Sequence, residues 1–268
     1  MFSLSGKVTI ITGGSGVLGG SLAKHLLQQN AIVIIIGRTA DKVKQKEAEL
    51  QKISNNVKGY VCDVMDIHAL QDISQQIISD YSKIDILINA AGGNTPGATV
   101  TPDKNVFDLD QQQFDLSLAL NLHGSVYPTM VFGKEMAKLG KGSIINISSM
   151  AAISAITRVP AYSIAKTGID MFTKWMATEL ALKFGDKIRV NAIAPGFFIG
   201  DQNRKLLLND DGSLTERSEK VIAKTPMGRF GNIDELNGAV QFLCSEAASF
   251  VTGIVLPVDG GFSAFSGV

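Results

Sequence analysis

The stretch Val8-Thr9-Ile10-Ile11-Thr12-Gly13-Gly14-Ser15-Gly16-Val17-Leu18-Gly19 decides the fold. Its first residues are β-branched and read as a strand. Glycines then crowd a turn, and Leu22, Leu26 and Leu27 recur at the spacing of one helix face. Glycine in such a turn lets backbone approach a phosphate, and the helix start offers N–H groups and a positive dipole end. Gly13, Ser15, Gly16, Leu18 and Gly19 are therefore candidates for holding a nucleotide. The competing reading is a tight strand–helix turn with no ligand.

The same alternation continues outward. Ala31 to Ile36 is an apolar run without polar alternation, as in a strand buried on both faces. A polar helix over 40–53, a strand over 57–62, a helix over 67–81 and a strand over 84–89 follow. Prolines and glycines over 92–110 predict a long loop. A helix over 111–138, a strand over 143–148, a helix started by Pro160 and running to Phe184, and a strand over 188–193 come next. The polar stretch 195–226 reads as an excursion carrying short helices, a substrate-side lid. A helix over 232–244 and a strand over 254–258 close the pattern. Seven strands alternating with helices predict an α/β chain: a single-domain, Rossmann-like, doubly wound parallel sheet with helices on both faces, spanning 1–268. Ligands of such sheets lie beyond the carboxyl ends of the strands, where the strand order switches.

Composition removes other classes. The 268 residues are 45% hydrophobic and 19% charged, which excludes wholesale disorder. Lys+Arg and Asp+Glu are both 25, so no net charge draws the chain to nucleic acid or an anionic membrane. Cys62 and Cys244 make neither a disulfide framework nor a metal-ligand spacing, and His25, His68 and His123 do not cluster, so no metal is expected. The apolar runs are too short for a secretory signal or a membrane span, and a cytoplasmic setting is expected.

An acid at the end of the second strand would accept hydrogen bonds from the 2′-hydroxyl of NAD. This chain has Gly37-Arg38-Thr39 there. Arg38 can pair with a 2′-phosphate and Thr39 can add a hydroxyl, which favours NADP(H), with NAD(H) as the alternative. A solvated Arg38, or one stacked on adenine, is the competing reading.

Thr12-Gly13 through Gly19, Asn89-Ala90-Ala91-Gly92, Ser149, Tyr162-Ser163-Ile164-Ala165-Lys166 and Pro195-Gly196 together resemble the short-chain dehydrogenase/reductase family over almost the whole chain. The Ser-to-Tyr interval of 13 and the Tyr-to-Lys interval of 4 match that family. Four residues put Tyr162 and Lys166 on one helix face. Charge builds on oxygen as a ketone accepts hydride, so a proton donor must be in reach. A neighbouring ammonium is expected to pull the phenol pKa down from about 10. Ser149 can hydrogen-bond the substrate oxygen. The resemblance implies that Asn121 holds a water in a proton relay with Lys166, and that Tyr162 and Lys166 also meet the nicotinamide ribose. It implies that Asp63 and Val64 approach the adenine, that Asn89, Ala90 and Gly92 line the adenosine side, and that Pro195, Gly196 and Phe198 flank the nicotinamide. Two positions depart from the family: Val17 stands at its middle glycine, and Gly200 where a threonine often follows the Pro-Gly pair. The family's habit of pairing long helices implies a homotetramer or dimer, with the tail around Phe262 and Phe265 at an interface.

Less common segments narrow the resemblance. Ala91-Gly92-Gly93-Asn94-Thr95-Pro96, Pro195-Gly196-Phe197-Phe198, Gln202-Asn203-Arg204, Thr225-Pro226-Met227-Gly228-Arg229-Phe230 and the Gly260-to-Val268 tail are together similar to the D-mannonate oxidoreductase (fructuronate reductase) branch. That implies a sugar-acid substrate, D-fructuronate or D-mannonate. Arg158 and Arg204 can pair with its carboxylate, and Asn94, Gln202 and Asn203 can read hydroxyls, with Ser149 on the reacting oxygen and His123 as a further polar candidate. A reductase of another keto sugar or polyol, such as a gluconate 5-dehydrogenase, is the nearest alternative. A catalytically silent NADP sensor and a flavin-binding domain stand further off.

Overall fold

The computed structural model describes residues 1–200 and 204–267. Seven parallel strands form one sheet in the order β3-β2-β1-β4-β5-β6-β7. These are β1 (Val8–Thr12), β2 (Ile32–Gly37), β3 (Val57–Val61), β4 (Ile86–Asn89), β5 (Gly142–Ile147), β6 (Ile188–Pro195) and β7 (Val255–Val258). The helices are α1 (Val17–Gln28), α2 (Ala40–Gln51), α3 (Ile67–Tyr81), α4 (Gln111–Leu139), α5 (Met150–Ile153), α6 (Pro160–Phe184), α7 (Arg204–Leu207), α8 (Glu216–Lys224) and α9 (Asn237–Cys244).

Successive strand residues point to opposite faces, so each apolar run feeds two cores. Ile11, Ile35, Ile88 and Ile145 meet Leu22 and Leu26 of α1 and Val240 of α9. Ile10, Ile34, Leu87 and Ile144 meet Leu70 of α3, Phe132 of α4 and Ala177 of α6. This is why the runs show no polar alternation. Strand limits fall within two residues of the sequence expectation. Two elements differ. The expected helix over 232–244 begins as a tight 3-10 turn, Ile233–Leu236, before α9. The four-residue α5 is too short to carry a helical period. Phe262 was expected at an interface, but it is buried against Met150 and Ala194 within the chain. No helix among the described residues is long and apolar enough to cross a membrane.

The order changes direction between β1 and β4, and Thr12 is level with both Ile36 and Asn89. A buried polar ladder stiffens the sheet beside this split. Asn89 Nδ2 donates to Thr129 Oγ1 and to Asn146 Oδ1, both at 2.8 Å, and Asn146 Nδ2 donates to Thr173 Oγ1 at 2.9 Å. Farther along, the buried Arg189 of β6 donates to the carbonyls of Ser245 (3.1 Å) and Val251 (3.3 Å). A cation there complements the negative end of α9 and satisfies carbonyls that water cannot reach. Arg189→Met should lower the free energy of unfolding by about 2–3 kcal/mol. Urea titration checks this, and an unchanged midpoint and slope would remove the role assigned to Arg189.

Candidate active site

The loops after β1 and β4 are fastened together at the split. Thr12 Oγ1 accepts from the N–H groups of Ala90 (3.2 Å) and Ala91 (3.3 Å). Gly13 has φ +66°, and a Cβ there would lie 2.7 Å from the Ala90 oxygen, so only glycine allows this approach. The start of α1 has no side-chain cap and no acid in its first turn. By contrast Asp66, Asp110 and Thr215 cap α3, α4 and α8. An uncapped, acid-free helix start behind a close-packed glycine turn fits a dinucleotide pyrophosphate. Ser15 Oγ lies 2.7 Å from where a Gly37 Cβ would stand, which draws the ends of β1 and β2 together. Arg38 and Thr39 are exposed at that second strand end, and the Thr39 side chain makes no cap to α2. The exposed Asp63 accepts from Met65 N at 2.9 Å, and Val64 is buried.

One expected cofactor residue is placed otherwise. Asn89 was expected to line the adenosine side, yet it is 1% exposed, its amide N–H groups are spent on the interior ladder, and its Oδ1 is buried without a hydrogen-bond partner. Only the backbone that follows it, Ala90 to Gly92, reaches the crevice. Pro195 and Gly196 leave β6 beside the C-terminal turn, and a Gly196 Cβ would lie 2.6 Å from Asp259 Cα. Phe198 packs its ring on Gly231 and lines a cavity of about 380 Å³ with Phe197, Thr225 and Met227.

The polar set gathers beyond β5. Ser149 stands two residues beyond the end of that strand and caps α5, its Oγ accepting from Ala151 N at 3.1 Å. Tyr162 and Lys166 lie one turn apart on α6. Lys166 Nζ donates to the Ile147 carbonyl at 2.6 Å and sits 5.5 Å from the centre of the Tyr162 ring. Ser148 donates to Asp170, one turn further along α6. Asn121 is fully buried on α4. Its Oδ1 accepts from Gly93 N at 3.0 Å, and its Nδ2 donates to the carbonyls of Gly93 and Ser117 at 2.8 Å. A Cβ on Gly92, which has φ +155°, would lie 2.7 Å from Asn121 Oδ1 and 3.7 Å from Lys166 Nζ. Asn121 and Lys166 thus converge on Gly92, as a relay would need. Both amide protons of Asn121 are already used, which leaves one carbonyl lone pair for another donor.

The titration pattern corrects one expectation. The ammonium was expected to pull the phenol down, but burial dominates and raises Tyr162 above its ordinary value. Only a hydrogen bond with Ser149 works the other way. Lys166 itself is held down to about 8 by burial, with Asp170 opposing. An ammonium weakened in this way is a weak electrostatic partner for the phenolate.

The substrate candidates scatter more widely. Asn94 is exposed beside Gly93, and Arg158 is half-buried with φ +80° in the turn before α6. Arg204 is exposed at the start of α7. His123 stacks on Tyr127 at 5.0 Å rather than joining the polar set. Gln202 and Asn203 lie outside the described residues. Sequence reasoning missed Ser148, Asp170 and Arg217. The last donates from Nη1 to Thr157 Oγ1 at 3.1 Å. The position of Asp170, one turn beyond Lys166, was the available signal for that pair. The two departures, Val17 and Gly200, prove to be neighbours: a Cβ on Gly200 would lie 3.6 Å from Val17 Cγ1.

Comparison with known proteins agrees with this geometry. A family model described as enoyl-(acyl carrier protein) reductase matches residues 15–263. An uncharacterized oxidoreductase, UxuB, of Bacillus subtilis is 43% identical, over 99% of this chain and 98% of its own length. The chain belongs to the short-chain dehydrogenase/reductase family. Within that family, a Haemophilus influenza structure described as a candidate D-mannonate oxidoreductase with bound NAD superposes with a TM-score of 0.92. It is 42% identical and aligns over 99% of this chain and 98% of that one. A gluconate 5-dehydrogenase from Burkholderia cenocepacia, in complex with NADP and tartrate, has a TM-score of 0.86 at 29% identity, over 98% and 97% of the two chains. The chain is accordingly an NAD(P)-dependent short-chain oxidoreductase.

A phenol raised by burial stays protonated through the neutral range. Alcohol oxidation that uses the phenolate should therefore rise steadily with pH through the alkaline range, while ketone reduction stays level near neutrality. Ser149→Ala removes the one interaction that lowers the phenol, so the rising limb should move to higher pH. The pH profile of kcat/KM for oxidation, in wild type and variant, checks both. A limb that stays in place or moves to lower pH would contradict this assignment of Ser149.

Proposed function

We propose that this short-chain oxidoreductase interconverts a sugar-acid ketone and its alcohol, with D-fructuronate and D-mannonate as the substrate pair. The observation that supports the chemistry is the meeting of Ser149, Tyr162 and Lys166 at the end of β5, beside Gly92 and Asn121. A nicotinamide cofactor, when bound, would supply or accept the hydride. Tyr162 gives the proton to the carbonyl oxygen in reduction and takes it back in oxidation. Ser149 donates a hydrogen bond to that oxygen, which strengthens as charge develops there. Lys166, held by the Ile147 carbonyl, stands beside Gly92, where its ammonium would meet the nicotinamide ribose. Asn121 fixes Gly93 and presents its remaining lone pair to a relay water.

The likeness to the Haemophilus structure supports the choice of sugar acid. The gluconate 5-dehydrogenase likeness supports the second reading, another keto sugar or polyol. Four polar groups placed for proton transfer argue against a silent sensor. NADP(H) is the cofactor we favour, with NAD(H) as the alternative: Arg38 and Thr39 stand exposed where a 2′-phosphate would lie, with no acid at the strand end. Exposed Met130, Met171, Trp175 and Leu182 on α4 and α6 support a homo-oligomer, dimer or tetramer. Two buried, unpaired cysteines suit a cytoplasmic enzyme.

Two measurements test this reading. Purified enzyme should turn over D-fructuronate with NADPH, and D-mannonate with NADP, far faster than unrelated ketones and alcohols. Equal rates across a keto-sugar panel would refute the substrate. Arg38→Ala should raise KM for NADPH at least tenfold and leave KM for NADH nearly unchanged. A wild type without NADPH preference, or a preference that survives the substitution, would refute the cofactor assignment.

A further inference from the structure

Arg158 and Arg217 come from separate segments and are linked through Thr157, in the turn that precedes Tyr162 along the chain. Arg158 lies in the turn between α5 and α6, nine residues after Ser149 and four before Tyr162. Its backbone is held at φ +80°, a strained conformation for a residue with a side chain. The strain is locked in, because the Arg158 carbonyl accepts from Val100 N at 2.8 Å. Arg217 reaches the same turn from α8, its Nη1 donating to Thr157 Oγ1 at 3.1 Å. Both side chains are half-buried.

The arrangement is unfavourable by itself. Burial and the charge of Arg158 both weaken the hold of Arg217 on its proton. Among the described residues no carboxylate pairs with either guanidinium. The chain's other clamped cation shows the contrast: Arg229 meets both oxygens of Glu235 at 2.8 and 2.7 Å. Two half-buried like charges, one on a strained turn four residues before the acid–base residue in sequence, are expected to persist where an anion relieves them.

We propose that Arg158 and Arg217 together form the receptor for the substrate carboxylate, Thr157 positioning the second guanidinium. Arg217 takes the place that sequence reasoning gave to Arg204, which is exposed at the start of α7. Fork-shaped donors on two sides accept both carboxylate oxygens and leave the far end of the sugar acid at Tyr162. This inference rests on the sugar-acid reading above and adds the residues that would enforce it.

The test compares matched substrates that differ only in the charged end: D-fructuronate against D-fructose, and D-mannonate against D-mannitol. For each pair the ratio of kcat/KM is measured in wild type, Arg217→Gln, Arg158→Gln and Arg217→Lys. Cofactor fluorescence titration and thermal melting confirm that each variant is folded. The expected result is a strong wild-type preference for the acids, at least a tenfold fall of the ratio in each Gln variant, and partial retention in Arg217→Lys. If the wild type prefers acids and the folded Gln variants keep the preference, the arginine receptor is wrong while the sugar-acid reading stands. If the wild type does not prefer acids, both fall.

Discussion

A buried ammonium governs the geometry of this site. Lys166 is 4% exposed, and its bond to the Ile147 carbonyl replaces water that the amine has lost. The contact belongs to a larger register. Three positions one turn apart on α6 meet three consecutive residues at the end of β5: Tyr162 with Ser149, Lys166 with Ile147, Asp170 with Ser148. A helix rise of about 1.5 Å per residue makes positions four apart successive points along one face. Sliding α6 by one residue would break all three contacts together, so the spacing of Tyr162 and Lys166 is tied to packing as well as to proton transfer.

The same anchor reaches the cofactor side. Lys166 and Asn121 approach Gly92 from α6 and α4, and Gly92 belongs to the loop that Thr12 ties to the end of β1. A series of packed neighbours therefore runs from the glycine turn at Gly13, through the two strand ends, to Lys166. The Asn89–Asn146 ladder underlies it with bonds that no solvent disturbs. A hydride donor held at the first end and a proton donor at the second would keep a fixed separation because the sheet between them is buried on both faces. Rigid placement of reacting groups is how such a site lowers a barrier.

The sheet was legible because parallel strands covered on both sides read as unbroken apolar runs, as in Ile32 to Ile36. The phosphate turn and the Ser149–Tyr162–Lys166 set were legible because their spacing is local or follows one helix face. What escaped depended on contacts between distant segments. Asn89 looks the same in sequence whether its amide faces a crevice or a threonine 40 residues away. The sign of the Tyr162 shift turns on burial, which no spacing reveals. Arg217 is one basic residue on a polar helix until α8 folds back on Thr157.

Val17 and Gly200 extend that point. Each, taken alone, looks like a defect in a family motif: a side chain where glycine is usual, and glycine where a hydroxyl is usual. Folded, the two positions are adjacent, and a Cβ on residue 200 would already be in van der Waals contact with Val17 Cγ1 at 3.6 Å. Val17 itself is exposed at the head of α1. The two departures are neighbours across the crevice, and that adjacency is invisible until the turn after β6 is seen against the helix that follows β1.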